Sequence, residues 1–192
     1  FTFSLLVSHL IGFTFFGVCV FGNFTILESK VSSFSLLLLA GFISEGLAND
    51  CLIYEYHKDS DSYSVSGYRD GGRCNSLSIK HLYIPSFYKG KPVTGINPYS
   101  FYSGGGNFFS RLEQVTIPSS VTNIGDWAFS GLRTLKHVTL EDGVAEIGKG
   151  AFAKCSGLVD VTIPDSIISI GNRAFSCISL KSIKVGKANS KY

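Results

Sequence analysis

The chain has 192 residues, with 17 Lys and Arg against 14 Asp and Glu and a net charge of +3. Charged residues make up 16% and aromatic residues 14%, a balance that excludes disorder for the chain as a whole, and the length suits one domain with a sizeable core and not two. The small basic surplus comes without a run of like charges, so nothing argues for nucleic acid as a partner.

Residues 1–48 differ in composition from the rest. Phe1–Leu27 contains no Asp, Glu, Lys or Arg and is long enough to span a bilayer core. Glu28 and Lys30 interrupt it, and a second apolar run follows from Val31 to Ile43. That run has the length of a signal-peptide hydrophobic region, with Lys30 as its positive flank and Gly46-Leu47-Ala48 as small residues at a cleavage site. Three readings stay open: a signal peptide ending near Ala48, a membrane anchor over 1–27, or a pair of membrane segments. Each puts the remainder of the chain in contact with the secretory or membrane system. Asn23-Phe24-Thr25 has the form of a glycosylation sequon but sits inside an apolar run, where it is poorly placed for use. With no Met and a start at Phe1, the chain is expected to be a fragment or a processed product.

From residue 82 onward the sequence repeats itself, the signature of a stacked architecture. Val115-Thr-Ile-Pro118 recurs as Val138-Thr-Leu-Glu141, Val161-Thr-Ile-Pro164 and Ile183-Lys-Val185, at intervals of 23, 23 and 22 residues. A second phrase recurs inside each unit: Ile124-Gly-Asp-Trp-Ala-Phe129, Ile147-Gly-Lys-Gly-Ala-Phe152 and Ile170-Gly-Asn-Arg-Ala-Phe175. A looser unit precedes them, with Leu82-Tyr-Ile-Pro85, Val93-Thr-Gly-Ile96 and Asn97-Pro-Tyr-Ser-Phe101. Insertions near Phe87–Lys91 and Gly104–Phe108 lengthen that unit. Units therefore start near residues 82, 115, 138, 161 and 183.

Each position in the repeat has a physical role. The alternation of Val115, Thr116 and Ile117 predicts a short strand with Val115 and Ile117 inward and Thr116 outward, and Pro118 ends it for want of an N–H donor. Ile124, Ile147 and Ile170 turn back inward. Gly125, Gly148 and Gly171 follow, with Asn97 in the loose unit, and the tolerance of Gly and Asn for positive φ predicts a left-handed turn there. A small Ala next lets backbones approach, and Phe129, Phe152 and Phe175 fill the coil. Leu135, Leu158 and Leu180 close each turn. With Val138, Val161 and Ile163, these side chains form the predicted core, which one coil cannot bury without its neighbours.

The strand-Pro phrase, Ser120-Val121 and Ser166-Ile167, the Ile-Gly and Ala-Phe phrases, and Cys155 three residues after Phe152 together resemble the BspA-type leucine-rich repeats of bacterial and protist surface proteins. The resemblance is strong over residues 82–185 and excludes residues 1–48. Glu141 in place of Pro, and Ser176-Cys177 one residue short of the usual spacing, depart from the pattern without threatening the fold. The resemblance implies a leucine-rich repeat solenoid of short β-strands and turns with little helix over residues 82–192, behind the separate apolar helix or signal segment at 1–48. Tyr63–Tyr68 looks like the β-hairpin that precedes such arrays, so residues 49–81 are expected to form an N-terminal hairpin cap. Pro85–Val93 looks like the entry into a first repeat. Val185–Tyr192 is similar to the start of a longer unit, which implies that the array continues.

Candidate sites are few. Cys51 and Cys74 flank the expected hairpin, where a bridge would staple it; the sequence leaves their state open. Cys155 and Cys177 share a slot that Leu132 fills in the preceding coil, so they read as buried free thiols. Asp59-Ser-Asp61 resembles the opening of a calcium loop, but Ser64 stands where an EF-hand needs Gly, and a polar turn is the better reading. His9, His57, His81 and His137 lack metal-ligand spacing. There is no Gly-x-Ser-x-Gly elbow, and Gly104-Gly-Gly106 carries no Lys-Ser/Thr for phosphate. No catalytic, cofactor or metal set is therefore expected.

The outward strand residues Tyr83, Thr116, Thr139, Thr162 and Lys184 form one predicted column, and Gln114, His137, Asp160 and Ser182 a second beside it. These are the candidate partner-facing positions, although Thr also suits a solvated strand. Phe87, Tyr88, Phe108 and Phe109 lie in or beside the insertions, either as contact anchors or as covers over the open end of the stack. The composition, the export-like segment and the family resemblance lead to a non-catalytic module that binds other proteins, host or matrix proteins by resemblance. It is expected to be secreted or held at the cell surface, with membrane association through residues 1–48. An intracellular scaffold, or the targeting module of a larger enzyme, are the alternatives.

Overall fold

A computed structural model describes residues 50–71, 74–104 and 109–189. The apolar segment 1–48 and Phe108 lie outside the described residues. Those described contain strands and turns but no helix.

The Val-x-Ile phrases form strands β3 (His81–Tyr83), β6 (Gln114–Ile117), β8 (His137–Leu140), β10 (Asp160–Ile163) and β12 (Ser182–Val185). In two ladders, β3-β6-β8 and β10-β12, they lie parallel and in register: Leu82 opposite Val115, Val115 opposite Val138, and Val161 opposite Ile183. Identical phrases at fixed intervals produce this register because each coil places the same residue at the same height.

A second sheet was not anticipated. Alongside β1 (Leu52–His57), β2 (Ser62–Tyr68), β4 (Phe87–Tyr88) and β5 (Lys91–Ile96), the Ile-Gly phrases form the two-residue strands β7 (Asn123–Ile124), β9 (Glu146–Ile147) and β11 (Ser169–Ile170). The path runs β1-β2-β5-β7-β9-β11, with β4 paired to β5. Two residues show no alternation to read, so these strands are invisible to a period-two search. They exist because stacking brings each Ile-Gly backbone alongside the next: the amides of Gly125, Gly148 and Gly171 donate to the carbonyls of Ile96, Ile124 and Ile147 at 2.8, 2.8 and 2.7 Å.

Between the sheets runs a column of phenylalanines. Phe101, Phe129, Phe152 and Phe175 stack ring on ring with centroids 5.0, 5.1 and 5.4 Å apart and planes within 6° of parallel. Their backbones are tied as well: Phe101, Phe129 and Phe152 donate to the carbonyls of Ala128, Ala151 and Ala174, each at 2.8 Å. Val115, Ile117, Ile124, Phe129, Leu135, Ile147, Phe152, Leu158, Val161 and Ile163 are all buried, as is Val138. Phe175, Ile170 and Leu180 are only half-buried against this core, less than the repeat pattern predicts. In β12, Ile183 and Val185 remain 49% and 38% exposed. A coil buries its residues against two neighbours, and the described residues supply only one to the coil of Phe175.

The glycines after each Ile correct the expected left-handed turn. Gly125, Gly148 and Gly171 do not have positive φ; the left-handed position falls two residues later, at Tyr99, Trp127, Gly150 and Arg173, with φ of 61°, 57°, 60° and 58°. The glycines are required instead by close approach. A Cβ on Gly125 would lie 2.4 Å from the Pro98 nitrogen, on Gly148 2.6 Å from the Asp126 nitrogen, and on Gly171 2.4 Å from the Lys149 nitrogen. Main-chain atoms of the preceding coil occupy the space a side chain needs. Glu141, which stands where the repeat has Pro, adds two links. Its amide donates to the Ile117 carbonyl at 3.1 Å, and its carboxylate accepts from the Ser119 amide at 2.9 Å.

At the other end of the stack, β1 and β2 form an antiparallel hairpin, and β2 runs parallel to β5 at the edge of the second sheet. Cys51 and Cys74 form a disulfide, which joins the start of β1 to the segment after β2.

Replacing Phe152 by Ala removes the middle of the ring column and is expected to cost about 3–5 kcal/mol in denaturant unfolding. Gly148→Asn separates the two accounts of the glycine. Asn tolerates a left-handed turn, yet crowding of the Asp126 backbone is expected to destabilise this variant by about 1–3 kcal/mol. Arg173→Gly, at the true left-handed position, is expected to stay within about 0.5 kcal/mol of the parent, since relief of φ offsets the added freedom of the unfolded chain.

Candidate functional site

Both predicted columns assemble on the outer face of the Val-x-Ile strands. Tyr83 pairs with Thr116, Thr116 with Thr139, and Thr162 with Lys184. Beside them, His81 pairs with Gln114, Gln114 with His137, and Asp160 with Ser182. Tyr83, Thr139, Thr162, Lys184 and His137 are exposed and Thr116 is half-exposed. Inward alternation of Val and Ile is what turns these side chains to solvent.

The face is interrupted between β8 and β10. These strands lie side by side, but the ladder of β3, β6 and β8 ends at β8 and a separate one joins β10 to β12. Elsewhere each strand enters through two amides sharing one carbonyl: Glu113 and Gln114 donate to Lys80, Lys136 and His137 to Glu113, and Lys181 and Ser182 to Val159. Among the described residues the corresponding bonds from Val159 and Asp160 to Lys136 are absent. Thr134 donates its hydroxyl to the Leu112 carbonyl of the coil before at 2.8 Å, and Gly157, in the same slot one coil later, has no hydroxyl to do so. Water reaches the gap: Val138 and Leu140 are each 9% exposed, against 0% for Val115 and Ile117 and 1% for Val161 and Ile163. Over it lies a depression of about 310 Å³ lined by Lys136, His137, Gly157, Val159 and Asp160. Of these, His137 and Asp160 stood out in the sequence, as members of the second outward column. The others could not, because the depression arises from a missing ladder and not from a residue motif. Lys136 is held at its rim by an ion pair with Glu113 at 3.0 Å, which keeps the Glu113 carboxyl below its usual range.

The loop aromatics divide. Phe109 is buried, with ring contacts to Phe101 at 5.9 Å and Tyr68 at 5.4 Å; it is a core residue covering the first coil and not a contact anchor. Tyr88 is half-buried and stacks on Tyr54 at 3.7 Å, with the edge of Tyr63 at 5.0 Å. Phe87 stands 65% exposed. Its neighbour in strand β4 points inward because the two alternate across the pleat. Tyr99 and Tyr102, edge to face at 5.7 Å and both exposed, form a further aromatic pair. Their places in the repeat, opposite Trp127 and Ser130, marked them only as variants of structural slots.

The acidic turn is engaged by its own neighbours. Asp61 accepts from the Tyr56 hydroxyl and pairs with Lys91, and these two donors, Lys91 foremost, hold its carboxyl below the usual range. Among the described residues no cluster of His, Cys, Asp and Glu could hold a metal ion, and no helix is long and apolar enough to cross a membrane.

A coil of about 23 residues, short parallel strands, a stacked Phe column and an Ile-Gly ladder define a leucine-rich repeat solenoid. Residues 94–192 match the BspA type leucine rich repeat region in six copies, and the chain belongs to that family. Solved structures agree. A leucine-rich repeat protein from Bacteroides capillosus ATCC 29799 is 25% identical with a TM-score of 0.58, over 71% of this chain and 94% of that one. The leucine-rich repeat protein of T. pallidum is 27% identical with a TM-score of 0.51, over 70% and 68%. One from Bacteroides ovatus ATCC 8483 is 26% identical with a TM-score of 0.51, over 69% and 39%. No curated protein is similar to the chain by sequence.

Hydrogen exchange tests the interrupted sheet. The amides of Asp160 and Thr162, which alternate toward β8, are expected to exchange at least about tenfold faster than those of His137 and Thr139. Equal protection would mean that the ladder is continuous in solution.

Proposed function

We propose that the array is a non-catalytic protein-binding module of a secreted or surface-held protein, and that it binds through the outer face of the Val-x-Ile sheet. The observation that carries this reading is the face itself. Parallel registration lines up Tyr83, Thr116 and Thr139 in one ladder, with His137 in the line beside it, and Thr162 and Lys184 in the neighbouring ladder. Short Thr side chains leave the strand surface accessible, and Tyr83 and Phe87 add aromatic contact area of the kind that anchors interfaces. The depression between β8 and β10 gives this otherwise even surface a concavity with a cation, an imidazole and a carboxylate around it.

Export is supported by the disulfide between Cys51 and Cys74, since such bonds persist in oxidising compartments, and by the apolar character of residues 1–48. The hairpin of β1 and β2 then serves as the cap of the array, shielding the edge of β5 that would otherwise offer unpaired backbone groups. Family membership points to other proteins as partners, host or matrix proteins among them, while fold alone names no ligand.

The test pairs Thr139→Arg with Thr162→Arg and measures binding to immobilised extracellular-matrix proteins. Both positions are exposed, so the melting temperature is expected to hold while binding falls at least about tenfold, as for truncating a central interface contact. Binding by the parent that survives the double substitution would place the interface elsewhere. Absence of binding by the parent to any such protein would count against the adhesion reading.

A further inference from the structure

We propose that Cys155 and Cys177 are a redox pair, closing to a reversible inter-coil disulfide by exchange with a small-molecule disulfide and so fastening the coil of Phe175 to the coil of Phe152. Both are free thiols, Cys155 buried and Cys177 half-exposed. They hold the same slot in adjacent coils despite the residue missing before Cys177. In each coil the slot accepts one turn bond from the closing leucine: Leu135 to Leu132 at 3.2 Å, Leu158 to Cys155 at 3.1 Å, Leu180 to Cys177 at 3.3 Å. Each thiol also points back along the stack. Cys155 Sγ donates to the Phe129 carbonyl at 3.2 Å and Cys177 Sγ to the Phe152 carbonyl at 3.0 Å. Cys177 Sγ thus contacts the backbone of the coil that carries Cys155. The adjacent rings of Phe152 and Phe175 are 5.4 Å apart, a coil step comparable to the roughly 4.4–6.8 Å between Cα atoms that a disulfide bridges.

The two thiols are unequal in the way such a pair requires. The neighbouring Cys155 thiol, against the effect of burial, lowers Cys177 below the usual thiol range. Cys155 is raised by the neighbouring Cys177 and by burial. Half-exposed Cys177 is therefore the accessible nucleophile and buried Cys155 the shielded resolving thiol. Ile178 beside it is 93% exposed, which leaves the approach open. In the first step Cys177 thiolate attacks one sulfur of the reagent RSSR, forming a mixed disulfide and releasing RS⁻. In the second, Cys155 loses its proton and attacks the Cys177 sulfur, releasing the other RS⁻. The protein loses two hydrogens, the reagent is reduced to two RSH, and the charges balance. The bond would fall where the stack is loosest, at the half-buried Phe175 and Leu180.

The full chain, with the Cys51–Cys74 bond intact, is equilibrated with oxidised glutathione, and peptides are mapped without reduction. The expected result is a linked peptide pair containing Cys155 and Cys177, lighter by two hydrogens and restored by dithiothreitol. In the reduced protein, Cys177 is expected to react with a thiol reagent at least about tenfold faster than Cys155. Cys155→Ser should trap glutathione on Cys177, and Cys177→Ser should leave Cys155 unmodified. Two free thiols after equilibration, a stable glutathione adduct on Cys177 of the parent, or Cys177 linked between two molecules would each overturn the proposal. The peptide map of the parent decides even where a variant folds poorly.

Discussion

The whole structure depends on one repeat distance, the roughly 5 Å step from one phenylalanine ring to the next. Neighbouring β-strands lie about 4.7–4.9 Å apart, and offset aromatic rings pack well at about that separation. Phe101, Phe129, Phe152 and Phe175 meet both conditions, with centroids 5.0–5.4 Å apart. The interior therefore packs at the same pitch at which the backbone hydrogen-bonds. A coil that could not match the two would have either an unfilled centre or a broken ladder.

That pitch leaves little freedom on the second sheet. Backbones approach so closely at Gly125, Gly148 and Gly171 that a methyl group would strike the coil before, and the buried Ala128, Ala151 and Ala174 keep the next position small. Pitch also explains why burial falls off toward β12, where Ile183 and Val185 stay partly exposed. At the other edge the hairpin of β1 and β2 takes the place of a neighbour, with Phe109 packed between Phe101 and Tyr68. A solenoid is stable as far as each coil finds a partner.

Regularity likewise shapes the outer face. Because register is fixed by the core, the side chains turned to solvent line up whatever their chemistry, so a column of threonines follows from stacking alone. The departures from regularity are more informative. The ladder fails between β8 and β10 and leaves a depression edged by Lys136, His137 and Asp160. Cysteines replace leucine in one slot of two successive coils. A repeat protein acquires specificity at such irregular places, since the regular ones are committed to packing.

The sequence by itself determined the strands that alternate, their register and the side chains filling each coil, because a period of 23 residues with fixed inward positions admits one stacking. It also placed the outward columns and the equivalence of Cys155 and Cys177. Tertiary structure alone decided the rest. The two-residue strands β7, β9 and β11 have no local pattern and arise only when coils stack. Gly148 reads as a turn residue until the Asp126 backbone is seen against it. Phe109 and Phe87 look alike in their loops, yet one ring finds the open end of the stack and the other solvent. The depression at β8 and β10 has no signature in any single segment, because it is the absence of hydrogen bonds between two strands whose sequences are both regular.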